Sequence, residues 1–230
     1  MNENMDITMN IAIKKMKHRV WSVVTGTALM LALSLNVTAV RAADEAADVL
    51  VKRISQDVVD TAKADKDIQS GNQAKVLDLV EKKIIPYVDF QRMTELAVSR
   101  NWRDATPDQQ KALVTQFRSL LIYTYSGALS QVKDQRLEFK PFRAAADDTD
   151  VEVRSQVIQA RGGQPIQLYY RLRKTGSGWK IYDINILGAW LIETYKGSFN
   201  AEINKSGIDG LITVLTAKNA KLAIAYGKKS

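Results

Sequence analysis

Cysteine is absent from the 230 residues, and histidine occurs once, at His18. The first absence excludes a disulfide framework, a thiolate zinc cluster and a thiol nucleophile. The second leaves no imidazole beyond position 18 for catalysis or metal binding. What is present suits a packed core, because 46% of the residues are hydrophobic and 25% are charged, unlike a disordered or fibrous chain. Lys and Arg number 33 against 25 Asp and Glu, for a formal charge of +8. The length corresponds to one or two domains.

The N-terminal stretch bears on compartment. Lys14, Lys15, Lys17 and Arg19 form a basic block before the mainly apolar run from Val20 to Leu35. Val40-Arg41-Ala42 then places small residues where signal peptidase requires them. We read residues 1–42 as a secretory signal cut after Ala42. The alternative is a retained anchor, but the run is shorter than the roughly 20 residues of a spanning helix and carries Ser22, Thr25, Gly26, Thr27 and Ser34. There is no lipobox cysteine, so the expected exported product is free and soluble. Its loss of five cations and two carboxylates lowers the formal charge from +8 to +5. That charge and that compartment argue against a nucleic-acid partner. His18 leaves with the signal, so Ser–His and Cys–His catalysis are excluded, and carboxylates, Lys and Tyr are the remaining acid–base groups. The expectation is a protein that is not an enzyme and carries no cofactor or metal.

Residues 44–132 read as helical. Ala47, Leu50, Ile54, Val58 and Ala62 recur at helical steps, and Ser70-Gly71-Asn72 ends that pattern. Val76, Leu77, Val80 and Ile84 form a second stripe stopped by Pro86. Asp89 is placed to cap a short helix carrying Phe90, Met93, Leu96 and Ala97. Thr106-Pro107-Asp108-Gln109 is a capping box with proline in the first turn, and the stripe behind it runs from Leu113 to Ala128.

The period then changes to two. Leu137–Phe139, Val151–Val157, Ile166–Leu172 and Trp179–Ile186 alternate apolar with polar residues, separated by turns rich in Asp and Gly. Helical spacing returns with Leu191, Tyr195, Phe199 and Ile203, and Ser206 is read as the cap of a last helix through Leu215. This order predicts an α+β domain over residues 43–217, with a curved antiparallel sheet of about four strands wrapped by helices, and a C-terminal tail over 218–230.

Motifs for chemistry are sparse. Gly176-Ser177-Gly178 leads into a strand, so it reads as a hairpin turn and not a phosphate cradle. Asp147, Asp148 and Asp150 lack the glycine and glutamate of a calcium loop. Asp183 is the best carboxylate for general-base work, although a paired strand residue is the plainer reading. Arg154, Arg171, Arg173 and Lys174 fit a solvated sheet face, with a lipid phosphate or an acidic partner as the alternative.

Three blocks carry a resemblance. They are Ile85-Pro86-Tyr87-Val88-Asp89-Phe90-Gln91-Arg92-Met93, the stretch Asn101 to Gln110, and Phe117-Arg118-Ser119-Leu120-Leu121 through Leu129. Gly178-Trp179-Lys180-Ile181-Tyr182-Asp183 with Tyr195, Phe199, Gly207, Gly210 and Leu211 extends it over nearly all of residues 44–217. The chain resembles the MlaC family, also called the toluene-tolerance auxiliary component. It departs at Trp190, where that family commonly has a small residue. The resemblance implies an NTF2-like cone with an apolar cavity and a periplasmic phospholipid carrier that maintains outer-membrane lipid asymmetry. The implied partners are an inner-membrane ABC transporter complex with its substrate-binding subunit and an outer-membrane lipoprotein–porin complex.

A curved sheet under helices can hold such cargo between apolar walls. The expected walls are Val80, Ile84, Phe117, Leu120, Leu121, Leu168, Tyr170, Ile181, Ile184, Trp190, Tyr195 and Phe199. Two other readings are an NTF2-like hydrolase using Asp183 and an envelope adaptor with a filled core.

Overall fold

The computed structural model describes residues 45–159 and 162–227. The signal read over residues 1–42 lies outside the described residues. Among the described residues no helix is long and apolar enough to cross a membrane.

Among the described residues, six α-helices and five strands follow the order expected. Helix α1, Ala47–Ala64, buries Ala47, Leu50, Val51, Ile54, Val58 and Ala62 on one side. It ends sooner than its pattern suggests, because Asp65 turns the chain and caps the single turn α2, Lys66–Gln69, through the N–H groups of Asp67 and Ile68. Asn72 accepts from the Lys75 N–H to start α3, Gln73–Lys83. Asp89 caps α4, Phe90–Val98, through the Arg92 N–H. The capping box of Thr106 and Gln109 is formed at the head of α5, Pro107–Tyr125. That helix stops before Ala128, where the chain tightens into a 3-10 turn over Ser126–Gln131.

The sheet has five antiparallel strands in sequential order, curved and unclosed: β1 Arg136–Phe139, β2 Asp150–Ile158, β3 Ile166–Thr175, β4 Gly178–Ile186 and β5 Ala189–Trp190. The sequence pattern accounts for four. The fifth is two residues long and follows a two-residue turn in which Leu187 and Gly188 both have positive φ, 54° and 91°.

The last helix, α6, runs from Leu191 to Gly227 and includes most of the stretch read as a tail. It is broken at Gly207, whose φ of 74° and ψ of −178° lie where essentially only glycine is found. Ser206 does not cap a new helix. Its hydroxyl donates to the Glu202 carbonyl and carboxylate, at 3.1 and 2.6 Å. A Cβ at position 210 would collide with that serine side chain, so glycine lets the turn close.

Candidate functional site

The strand registers put one apolar surface against the helices. Its rungs are Val151–Leu172–Ile181, Val153–Tyr170–Ile184 and Ser155–Leu168–Ile186, read across β2, β3 and β4. Strict alternation would turn Ile181 and Ile184 to opposite faces, since they are an odd number of residues apart. A register shift at Arg171/Leu172 supplies the extra β4 residue between Ile181 and Ile184, so both residues share the surface.

Two apolar clusters occupy the space between sheet and helices. In the first, Leu50, Val51, Ile54 and Val58 of α1 meet Val76 and Leu79 of α3 over Val153, Tyr170, Leu172 and Ile181. In the second, α4, α5 and α6 pack Met93, Leu113, Phe117, Leu120, Leu121, Ile192, Phe199 and Leu211 together. Ile184 packs against both.

The twelve expected wall residues divide accordingly. Ile84, Leu168, Tyr170 and Ile181 join the first cluster. Phe117, Leu120, Leu121, Tyr195 and Phe199 join the second. Val80 is buried on α3 beside Leu79. Phe117 meets Tyr195 and Phe199 edge to face, with centroids 5.1 and 5.0 Å apart. Trp190 is separated from the other eleven. It pairs with Asn185 on the opposite surface of the sheet, and its ring lies 3.8 Å from the Arg171 guanidinium. Val51, Ile54 and Leu172, which were not among the expected walls, pack in the first cluster beside Tyr170 and Ile181, on the helical and alternating patterns of α1 and β3.

The interior is not wholly apolar. The Tyr170 hydroxyl is bonded by Ser55 and Ser155, and burial pushes its pKa above the ordinary phenol value. Burial and the neighbouring Tyr125 hydroxyl raise that of Tyr195. A separate cavity of about 540 Å³ opens between the α2–α3 turn, the end of α5 and the end of α6, beside Ser70, Gln73, Tyr123, Ser130, Leu222 and Tyr226. None of the twelve residues lines it.

On the opposite face the basic residues are engaged. Arg171 reaches Asp183 at 3.6 Å and Glu152 at 3.8 Å, Arg154 reaches Glu152 at 2.7 Å, and Arg173 reaches Asp89 at 3.5 Å. Tyr182 donates to Asp150 at 2.7 Å, and burial together with that carboxylate pushes its phenol up to about 12. The Asp183 side chain is 1% exposed. Its Oδ1 accepts the N–H groups of Ile184 and Ile192 at 2.9 and 3.1 Å. Burial pushes its pKa up to about 6, against the lowering effect of those N–H groups and Arg171. The carboxylate considered for general-base work therefore ties β4 to the first turn of α6. No group of three His, Cys, Asp or Glu among the described residues could hold a metal ion.

An open, curved antiparallel sheet whose inner surface is covered by helices through two aliphatic and aromatic clusters defines an α+β class of internally apolar proteins. The model of the MlaC protein family matches residues 52–217, and the chain belongs to that family. Its relatives include the intermembrane phospholipid transport system binding protein MlaC of Haemophilus influenzae, 28% identical over 156 residues and covering 64% of this chain and 72% of that one. Another is the toluene tolerance protein ttg2D of Pseudomonas putida, 23% identical over 161 residues, with 70% and 74% covered. Among solved structures, the phospholipid-binding protein of Ralstonia solanacearum in complex with a phospholipid is 50% identical. It superposes with a TM-score of 0.72 over 77% of this chain and 98% of its own.

Proposed function

We propose that this protein is a periplasmic phospholipid carrier, exported by a cleaved signal over residues 1–42 and binding lipid within residues 43–217. The observation that carries this reading is the half-identical Ralstonia protein, matched over 98% of its length and solved with a phospholipid bound.

The physical task sets what the fold must do. A diacyl lipid exposes roughly 30 methylenes at about 0.8 kcal/mol each, so its passage through water costs on the order of 25 kcal/mol. The carrier offsets this by replacing water with apolar walls. Ile184 borders both clusters, so acyl chains that enter there separate the clusters along their seam instead of cutting through either. The head group stays near solvent, where no unpaired charge is buried.

Release needs a second conformation. The chain has no nucleotide-binding motif, so docking on membrane partners that favour the open form supplies the bias. Those partners are an inner-membrane ABC transporter complex with its substrate-binding subunit and an outer-membrane lipoprotein–porin complex, and the lipid is cargo, not cofactor. Mass spectrometry of an organic extract from the purified protein tests the proposal. Phospholipid in stoichiometric amount is the expected result, and an extract free of lipid would overturn it.

A further inference from the structure

We propose that the outer face of the C-terminal end of α6 docks on an anionic lipid surface. The helix continues through Gly227, ten residues beyond the last residue that the family model matches. It is fixed in place along one side. Leu211 and Leu215 are buried in the second cluster, and the Asn219 side-chain amide donates to the Gln116 carbonyl and side-chain oxygens, both at 2.8 Å.

The other side carries unpartnered apolar residues. Val214 is 46% exposed and Ile224 60%, with exposed Ala217 and Lys221 between them at steps of three and four. These four positions therefore form one stripe along the helix. Lys218 lies beside it and is also exposed. Neither Lys218 nor Lys221 has an ion-pair partner among the described residues. From Gly210 to Ser230 the sequence has four lysines, the last two being Lys228 and Lys229, and no Asp or Glu.

Aliphatic side chains flanked by lysines with no acidic residue match a layer of anionic head groups over acyl chains. A protein partner is the lesser fit, because the stripe offers no aromatic anchor and no alternating charge to set a register. The contact is small and electrostatic, so it is reversible and weakened by salt. It does not depend on lipid being held inside the fold.

Co-sedimentation of the purified protein with vesicles tests this. Vesicles of phosphatidylethanolamine with phosphatidylglycerol are compared with neutral phosphatidylcholine vesicles, at low and high salt. The protein is expected on the anionic vesicles at low salt only. Lys218→Glu with Lys221→Glu is expected to lower its partition by about tenfold or more, and Ile224→Ser severalfold. All three positions are exposed, so unchanged circular dichroism and thermal midpoint confirm that the variants fold. Equal binding to neutral vesicles, variants that match the wild type, or no sedimentation at low salt would overturn the proposal; the last result would leave an acidic protein as the partner of these lysines. The phospholipid content of each preparation is measured in parallel. Lipid-free preparations that still bind anionic vesicles would count against the carrier reading and not against docking.

Discussion

The Asp183 carboxylate on β4 accepts the backbone N–H of Ile192, in the first turn of α6, at 3.1 Å. It thereby satisfies one of the donors that a helix start leaves without a partner, from a strand instead of from the residue before the helix. Asp183→Ala leaves the Ile184 and Ile192 N–H groups without that acceptor. It is expected to lower stability by about 1–3 kcal/mol, measured by urea denaturation.

The same carboxylate predicts a pH dependence. Its folded-state value of about 6 exceeds the ordinary 3.8 because of burial, so between those values the folded protein keeps a proton that the unfolded chain releases. Its contribution is therefore fully present below about pH 4 and is lost as pH rises through about 6. In Asp183→Asn, the difference in urea midpoint from wild type is expected to change across that window and stay level above it. A difference that is flat from pH 4 to 7 would contradict the assignment.

Arg171 and Trp190 predict a purely structural effect. Their stacking lies on the sheet face away from both clusters, so Arg171→Lys is expected to cost about 0.5–1 kcal/mol and to leave co-purified lipid unchanged. Lipid analysis beside a denaturation curve checks both effects.

Gly207 predicts sensitivity to a single methyl group. At φ 74° and ψ −178° an alanine is strained, so Gly207→Ala is expected to cost about 1–3 kcal/mol, read as a lower thermal midpoint.

Leu168 and Ile184 lie on the helix-facing surface of the sheet. Replacing either with Glu places an unpaired carboxylate on the proposed path of the acyl chains. Loss of co-purified lipid with largely unchanged circular dichroism is expected, and retained lipid in a folded variant would remove that residue from the wall.

The local signals in the sequence were direct. Asp89 and Thr106 cap the helices they precede, Gln109 closes the capping box from inside its helix, and the alternation from Val151 to Ile186 marks three long strands, because capping and alternation act between near neighbours. What was not legible depends on distant contacts. The register shift at Arg171/Leu172 exists only where β3 and β4 pair, and it decides that Ile181 and Ile184 share a face. Trp190 reads as another interior aromatic until β5 pairs it with Asn185 and sets it under Arg171. Asp183 reads most plainly as a paired strand residue, but its tie to α6 was hidden because the second backbone donor is nine residues away.

In the proposed carrier, acyl chains lie between the two clusters. Cross-linking from a phospholipid with a photoreactive group near the end of one acyl chain tests it most directly. Labelled peptides containing Val80, Ile84, Leu121 or Ile184 are the predicted result. Labels confined to outward-facing positions such as Trp190 or Ile224 would contradict it.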